Sequence, residues 1–174
     1  MPKSFYAATK MSNELMAYSF SNIYNLPCTA MRFFTVYGSY GRPDMAMYKF
    51  TNLIKNFKDI YLFEYGKNLR DFTHINDISE MILRLVKKPS VQKIPFNCFN
   101  LGNGRPLTSK KLLTIIEKKL NQKTKTLLLP KQDGDVTKTH CDISALHKYI
   151  NYKPKISIEN GIDEFLNWYN GYYC

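Results

Sequence analysis

Two apolar runs, Cys28 to Val36 (CTAMRFFTV) and Phe96 to Leu101 (FNCFNL), constrain this chain more than any other feature. The first is rich in β-branched and aromatic residues with charge only at Arg32, the second carries two phenylalanines and a leucine, and both read as strands. About sixty residues with helical and short extended patterns separate them. Strands joined by so long a crossover can lie parallel. Strands alternating with helices specify an α/β class. Parallel strands are covered on both faces in a complete sheet, and two strands alone would leave faces and edges open.

The elements follow from local chemistry. Ser4 can cap a helix over residues 5 to about 24, with Ala7, Met11, Leu15 and Tyr18 as an apolar stripe at helical spacing. Asn25-Leu26-Pro27 ends it, because proline lacks a donor and restricts its predecessor. Tyr37 to Pro43 is a loop with two glycines, and Pro43 opens a helix to about Asn56. Asp59 to Phe63 predicts a short strand, Gly66-Lys67-Asn68 a turn, and Arg70 to His74 a second extended stretch. Asn76 or Asp77 starts a helix to about Lys87, and Thr108 caps another to about Leu120. Gly102-Asn103-Gly104 reads as a tight turn, Thr126 to Leu129 as a strand, and Asp142 to Tyr149 and Ser157 to about Tyr169 as the last helices.

Tyr6 and Lys10 carry the chemistry. Residues four apart lie on one helix face, with Cβ atoms about 5–6 Å apart. An ammonium beside a phenol favours the ionised form. Such a pair suits proton exchange with an alcohol or a carbonyl oxygen. Chemistry of that kind is redox chemistry, and its demanding step belongs to a nicotinamide cofactor. A dinucleotide site needs a Gly-rich turn after the first strand of a βαβ unit, and these 174 residues contain none. The sequence therefore predicts the second half of an enzyme.

Composition narrows the alternatives. With 44% hydrophobic and 22% charged residues the chain is neither disordered nor fibrous. No eighteen-residue apolar run exists, so no membrane span is expected, and the first residues do not resemble a signal peptide. The expected location is cytoplasmic. Cys28, Cys98, Cys141 and Cys174 read as buried or incidental thiols, and His74, His140 and His147 lack metal-ligand spacing, so no metal is expected. The net charge of +11 is spread along the chain without a nucleic-acid-binding motif. It suits attraction of an anion such as a nucleotide-linked substrate, and no nucleic-acid partner is expected.

Five blocks then form an ordered set. They are Ser4 to Lys10 with Asn13 to Met16, Arg32 to Gly38 with Gly41 to Ala46, Arg70 to Ile75 with Asp77-Ile78, Asn100 to Asn103, and Gln132 to Val136. In this order they resemble the C-terminal half of extended short-chain dehydrogenase/reductases of the NAD-dependent epimerase/dehydratase family. The run RFFTVYG followed by GRPDMA resembles the UDP-glucuronate 4-epimerases of bacterial cell-surface polysaccharide synthesis.

The resemblance implies an incomplete Rossmann-like sheet with a small α/β nucleotide-sugar-binding lobe. Residues 1–40 and 93–106 would belong to the sheet, and residues 41–92 and 107–174 to the lobe. It implies C4 epimerisation of a UDP-sugar through a 4-keto intermediate, with NAD as cofactor. Tyr6 would exchange the proton of the 4-hydroxyl, Lys10 would hold the nicotinamide ribose, and Phe33 would lie beside the cofactor. Thr35 and Arg42 would meet the sugar, Arg70 the diphosphate, and Asp135 the nucleotide ribose. Asp71 and Asp77 read as turn and cap residues. The family's Gly-rich turn, its acidic residue for the adenosine ribose and its Ser/Thr partner of the tyrosine are expected on a separate N-terminal half. Homodimers are common in the family, with the Tyr6 helix at the interface. The polypeptide is therefore expected to be inactive alone, with a nucleotide-sugar-binding remnant or a non-functional gene fragment as alternatives.

Overall fold

The computed structural model describes residues 2, 4–132 and 136–173. Its helices are α1 (Phe5–Tyr24), α2 (Ala46–Lys55), α3 (Ile75–Val86), α4 (Ser109–Leu120), α5 (Ser144–Ile150) and α6 (Ile158–Tyr173). Its strands are β1 (Cys28–Phe33), β2 (Thr35–Tyr37), β3 (Ile60–Leu62), β4 (Leu69–Arg70), β5 (Phe72–His74), β6 (Phe96–Leu101), β7 (Leu107–Thr108) and β8 (Thr126–Leu128). The α/β class and the partial Rossmann-like sheet are as the sequence implied.

β1 and β6 pair in parallel, from Cys28 opposite Phe96 to Phe33 opposite Leu101. The expected strand to Val36 is interrupted at Phe34. There the Phe34 N–H donates to Leu101 O at 3.1 Å, while the Thr35 N–H donates to Asp71 O at 3.0 Å. The chain thus passes from one neighbour to the next, and β2 continues parallel to β5. Ile78, Met81, Leu85, Phe99, Leu101 and Leu146 form the core between these strands and the helices α3 and α5. α1 lies along β1 and β6. Ser4 caps it by accepting from Ala7 N at 3.1 Å, and Asn25 ends it in the left-handed conformation (φ 49°). Asn121 and Asn151 end α4 and α5 in the same way, since asparagine tolerates that region.

A second core lies apart from the first. Ile54, Ile60, Leu112, Ile116, Ile162 and Phe165 are almost wholly buried there, among α2, α4, α6 and the parallel pair β3 and β8. Each such side chain stabilises the fold by about 1.5–3 kcal/mol relative to exposure. β4 pairs antiparallel with β7, so the extended stretch expected from Arg70 to His74 is two short strands with different partners.

Some element ends differ from expectation. α2 begins at Ala46 rather than Pro43, because Arg42 to Met45 first makes a turn in which the Met45 N–H reaches Arg42 O at 3.1 Å. α6 continues to Tyr173, where Trp168, Tyr172, Tyr173 and Tyr48 form an aromatic cluster that favours the extra turn. The stripe expected on α1 does not become core. Met11 and Leu15 are exposed, and Tyr18 meets only the edge of Phe96.

Candidate active site

The first two turns of α1 place Tyr6 and Lys10 on one face, with Lys10 Nζ 5.4 Å from the centre of the Tyr6 ring. That distance is within cation–π range. Tyr6 is 70% exposed, so its hydroxyl is accessible. α1 precedes β1 and returns along it, which brings the start of the helix to the carboxyl end of the strand. Ligands of open α/β sheets bind at that end.

A cavity of about 530 Å³ opens there, lined by Tyr6, Lys10, Asn13 and Glu14 from the helix and by Arg32 and Phe33 from the strand, among others. Glu14 and Arg32 join its two walls. Arg32 Nε donates to Glu14 Oε1 at 2.7 Å and Nη2 to Oε2 at 2.5 Å. The Arg32 hydrogen bonds hold the Glu14 carboxyl below the usual carboxylate range, and Glu14 in turn pushes the guanidinium up.

A second cavity, of about 480 Å³, shares Arg32 and Phe33 with the first and adds Phe34, Thr35, Arg70, Asn100, Val136 and Thr139. Arg70 is steadied by its own strand, with Nη1 donating to Leu69 O at 3.0 Å and towards Thr137 O at 3.5 Å. Thr35 opens β2, and Phe33, about half exposed, lines both cavities. The structure therefore places Tyr6 and Lys10 on one cavity and Thr35 and Arg70 on another, with Arg32 and Phe33 lining both.

Arg42 lines neither cavity. It is exposed in the loop after β2 and holds Asp44 through Nε at 3.0 Å and Nη2 at 2.5 Å. Hydrogen bonding to Asp44 raises its guanidinium first, and the Tyr6 phenol contributes last. Asp135 lies outside the described residues, although Val136 and Thr139 bring the segment after it into the second cavity.

Asp71 needs correction, because it is more than a turn residue. Its side chain is fully buried and accepts the backbone N–H of Asn103 at 2.8 Å, Gly104 at 2.9 Å and Cys141 at 3.0 Å. It thereby ties the turn after β6 and the segment carrying Thr139 to the strands beside Arg70. Asp77 is not the cap of α3, since the helix begins at Ile75 and His74 before it caps by accepting from Asn76 N. The Asp77 carboxylate accepts from the Tyr152 hydroxyl at 2.6 Å and from the Lys155 and Ile156 N–H groups at 3.0 Å. Cys141 is buried against this clamp, and burial first, then Asp71, pushes its thiol up to about 12. Among the described residues no cluster of His, Cys, Asp or Glu could hold a metal ion, and Cys28, Cys98 and Cys141 are unbridged.

The donors present fit one end of a dinucleotide. The Tyr6 hydroxyl and Lys10 ammonium stand at the mouth of a cavity with Phe33 as an apolar wall, which suits a nicotinamide riboside. Nothing in these residues supplies a Gly-rich cradle for the pyrophosphate.

Residues 1–102 match the NAD dependent epimerase/dehydratase family. The chain belongs to that family. An uncharacterized protein of Methanocaldococcus jannaschii is 47% identical over 168 residues, covering 97% of this chain and 50% of that protein. A probable UDP-glucuronate 4-epimerase of Rhizobium meliloti is 37% identical over 187 residues, covering 99% of this chain and 55% of its own length. The chain thus spans about half the length of these relatives. The crystal structure of UDP-glucuronic acid 4-epimerase from Bacillus cereus, in complex with UDP-glucuronic acid and NAD, matches 99% of this chain with a TM-score of 0.91 at 25% identity, over 55% of that chain. The epimerase family that the sequence blocks implied, and its dependence on NAD, are therefore established.

Glu14 and Arg32 were not assigned roles from sequence. The available signals were Arg32 as the single charge of an apolar strand and Glu14 one turn beyond Lys10.

Proposed function

We propose that this chain forms the proton-transfer and sugar-binding half of a UDP-glucuronate 4-epimerase. The observation that carries the reading is that the cavity of the Tyr6–Lys10 pair and the cavity of Arg70 are both lined by Arg32 and Phe33. The named activity of the R. meliloti relative and the two ligands of the B. cereus enzyme support the choice of substrate.

In this reading bound NAD would supply the hydride chemistry at C4 of the sugar, with Tyr6, Lys10 and Phe33 lining its nicotinamide end. Tyr6 takes the proton of the 4-hydroxyl and gives it back to the oxygen of the 4-keto sugar. Lys10 holds the nicotinamide ribose through its ammonium, which stands over the Tyr6 ring. Phe33 closes the cofactor side against water. Arg70 meets the diphosphate, where its planar group supplies paired donors. Thr35 offers a hydroxyl to the sugar and its C6 carboxylate. Arg42 reaches the same carboxylate after releasing Asp44, and Asp135 approaches the nucleotide ribose.

Residues 1–40 and 93–106 serve the Rossmann-like sheet in this proposal, with residues 41–92 and 107–174 as the sugar lobe. The dinucleotide-binding half must come from other residues, on the same polypeptide or on another. The 174 residues alone are then inactive. A homodimer, a cytoplasmic location and a role in polysaccharide synthesis belong to the same reading. No helix among the described residues is long and apolar enough to cross a membrane.

The test is interconversion of UDP-glucuronate and UDP-galacturonate with NAD. It uses this chain alone and co-expressed with a dinucleotide-binding half from the family. Turnover is expected only in the combined protein, and Tyr6→Phe should lower it by about 10²-fold or more. Failure of the combined protein to act on either uronate, or full activity of Tyr6→Phe, would overturn the assignment.

A further inference from the structure

Lys10 has two neighbours at helical spacing on α1, Tyr6 one turn before it and Glu14 one turn after. Glu14 is the closer match in charge, since a lysine and a glutamate four residues apart on an exposed helix face normally attract. Yet Lys10 Nζ stands over the Tyr6 ring, and among the described residues it has no ion-pair partner. Both Glu14 oxygens are instead occupied by Arg32, at 2.7 and 2.5 Å, in a paired geometry that strongly favours arginine. Arg32 is the only charged residue of β1, and it faces the helix within the cavity that Tyr6 and Lys10 line.

We propose that Arg32 is a positioning residue that withholds Glu14 from Lys10 and so keeps the lysine ammonium over Tyr6. This rests on the reading of Tyr6 and Lys10 as the catalytic pair. The strand thereby fixes where a positive charge sits on a helix it does not belong to. A simple strut between α1 and β1 differs in one respect. Loss of a strut is felt whether or not Glu14 is charged, whereas loss of the withholding role matters only while Glu14 keeps its carboxylate.

The test needs no turnover. Lysines of the 174-residue protein are reductively ¹³C-methylated, which preserves their charge, and the Lys10 signal is assigned by its disappearance in Lys10→Arg. In the unaltered protein this signal is expected upfield of the other lysines through the Tyr6 ring current, and Tyr6→Leu should abolish that displacement. Arg32→Met should also abolish it, and Arg32→Met with Glu14→Gln should restore it. Arg32→Lys, which keeps a cation but loses the paired donors, provides a milder variant should Arg32→Met not fold, and should reduce the displacement in part.

An unchanged Lys10 signal in the folded Arg32 variants would overturn the proposal. So would a double variant that folds but does not recover. Either result leaves the epimerase assay untouched. Conversely, an inactive reconstituted enzyme with the Lys10 pattern intact would overturn the catalytic reading and not the contact.

Discussion

α4 and α1 both carry apolar side chains at helical spacing, but they meet different surroundings. On α4, Leu112, Leu113 and Ile116 are 0%, 4% and 0% exposed, packed against α2 and α6. On α1 the only buried residue is Ser21, while Leu15 and Ile23 are 63% and 66% exposed. One helix is covered by its neighbours, and the other meets mainly β1 and β6 on one side. The core among α2, α4 and α6 is therefore packed within these residues, whereas the helix that holds Tyr6 and Lys10 rests on a two-stranded sheet with its outer face exposed. In the proposed enzyme the missing cover and the missing cofactor cradle come together.

The contrast is open to direct attack. Ile116→Ala should destabilise the chain by about 2–5 kcal/mol through lost burial and a cavity, as read by chemical denaturation. Leu15→Ala on α1 should change stability by no more than about 0.5 kcal/mol. Equal costs at the two positions would erase the distinction. Asp71→Ala should cost about 1–3 kcal/mol, because it leaves buried backbone donors without an acceptor. It should also loosen the Thr139 side of the Arg70 cavity, so in the proposed enzyme UDP affinity should fall with it.

A smaller effect concerns acid. Burial lowers the affinity of His74 for a proton, outweighing the nearby carboxylates Glu164, 3.7 Å away, and Asp77. Its Nδ1 already accepts from Asn76 N at 3.3 Å. The unfolded chain binds a proton that the folded chain refuses. The contribution is therefore complete above the ordinary value of 6.5 and is lost as pH falls from there through the lowered folded value. His74→Gln should flatten the dependence of the melting temperature in that window. An unchanged slope would remove His74 as its cause.

Where a signal was local, it was legible. Ser4 and Thr108 cap their helices, and Phe96 to Leu101 is a strand from end to end. The Tyr6–Lys10 pair was visible from spacing because both partners lie on one helix. What escaped depends on distant partners. The break at Phe34 exists because Leu101 of β6 and Asp71, just before β5, take successive amides, and nothing within the strand encodes that change. Asp71 bonds to residues 32, 33 and 70 positions away, so a reading of its neighbours could find only a turn. The Glu14–Arg32 pair spans 18 residues between helix and strand, and the lone charge of β1 was its one trace.

The most direct measurement is hydrogen exchange on the 174-residue chain, alone and bound to a dinucleotide-binding half. Alone, α4 and α6 amides should be strongly protected and those of α1 weakly, because local stability follows buried contacts. Binding of the second half should slow exchange in α1 by at least an order of magnitude and leave α4 nearly unchanged. Protection of α1 equal to that of α4 in the isolated chain would contradict the account. So would a bound half that leaves α1 exchanging as before.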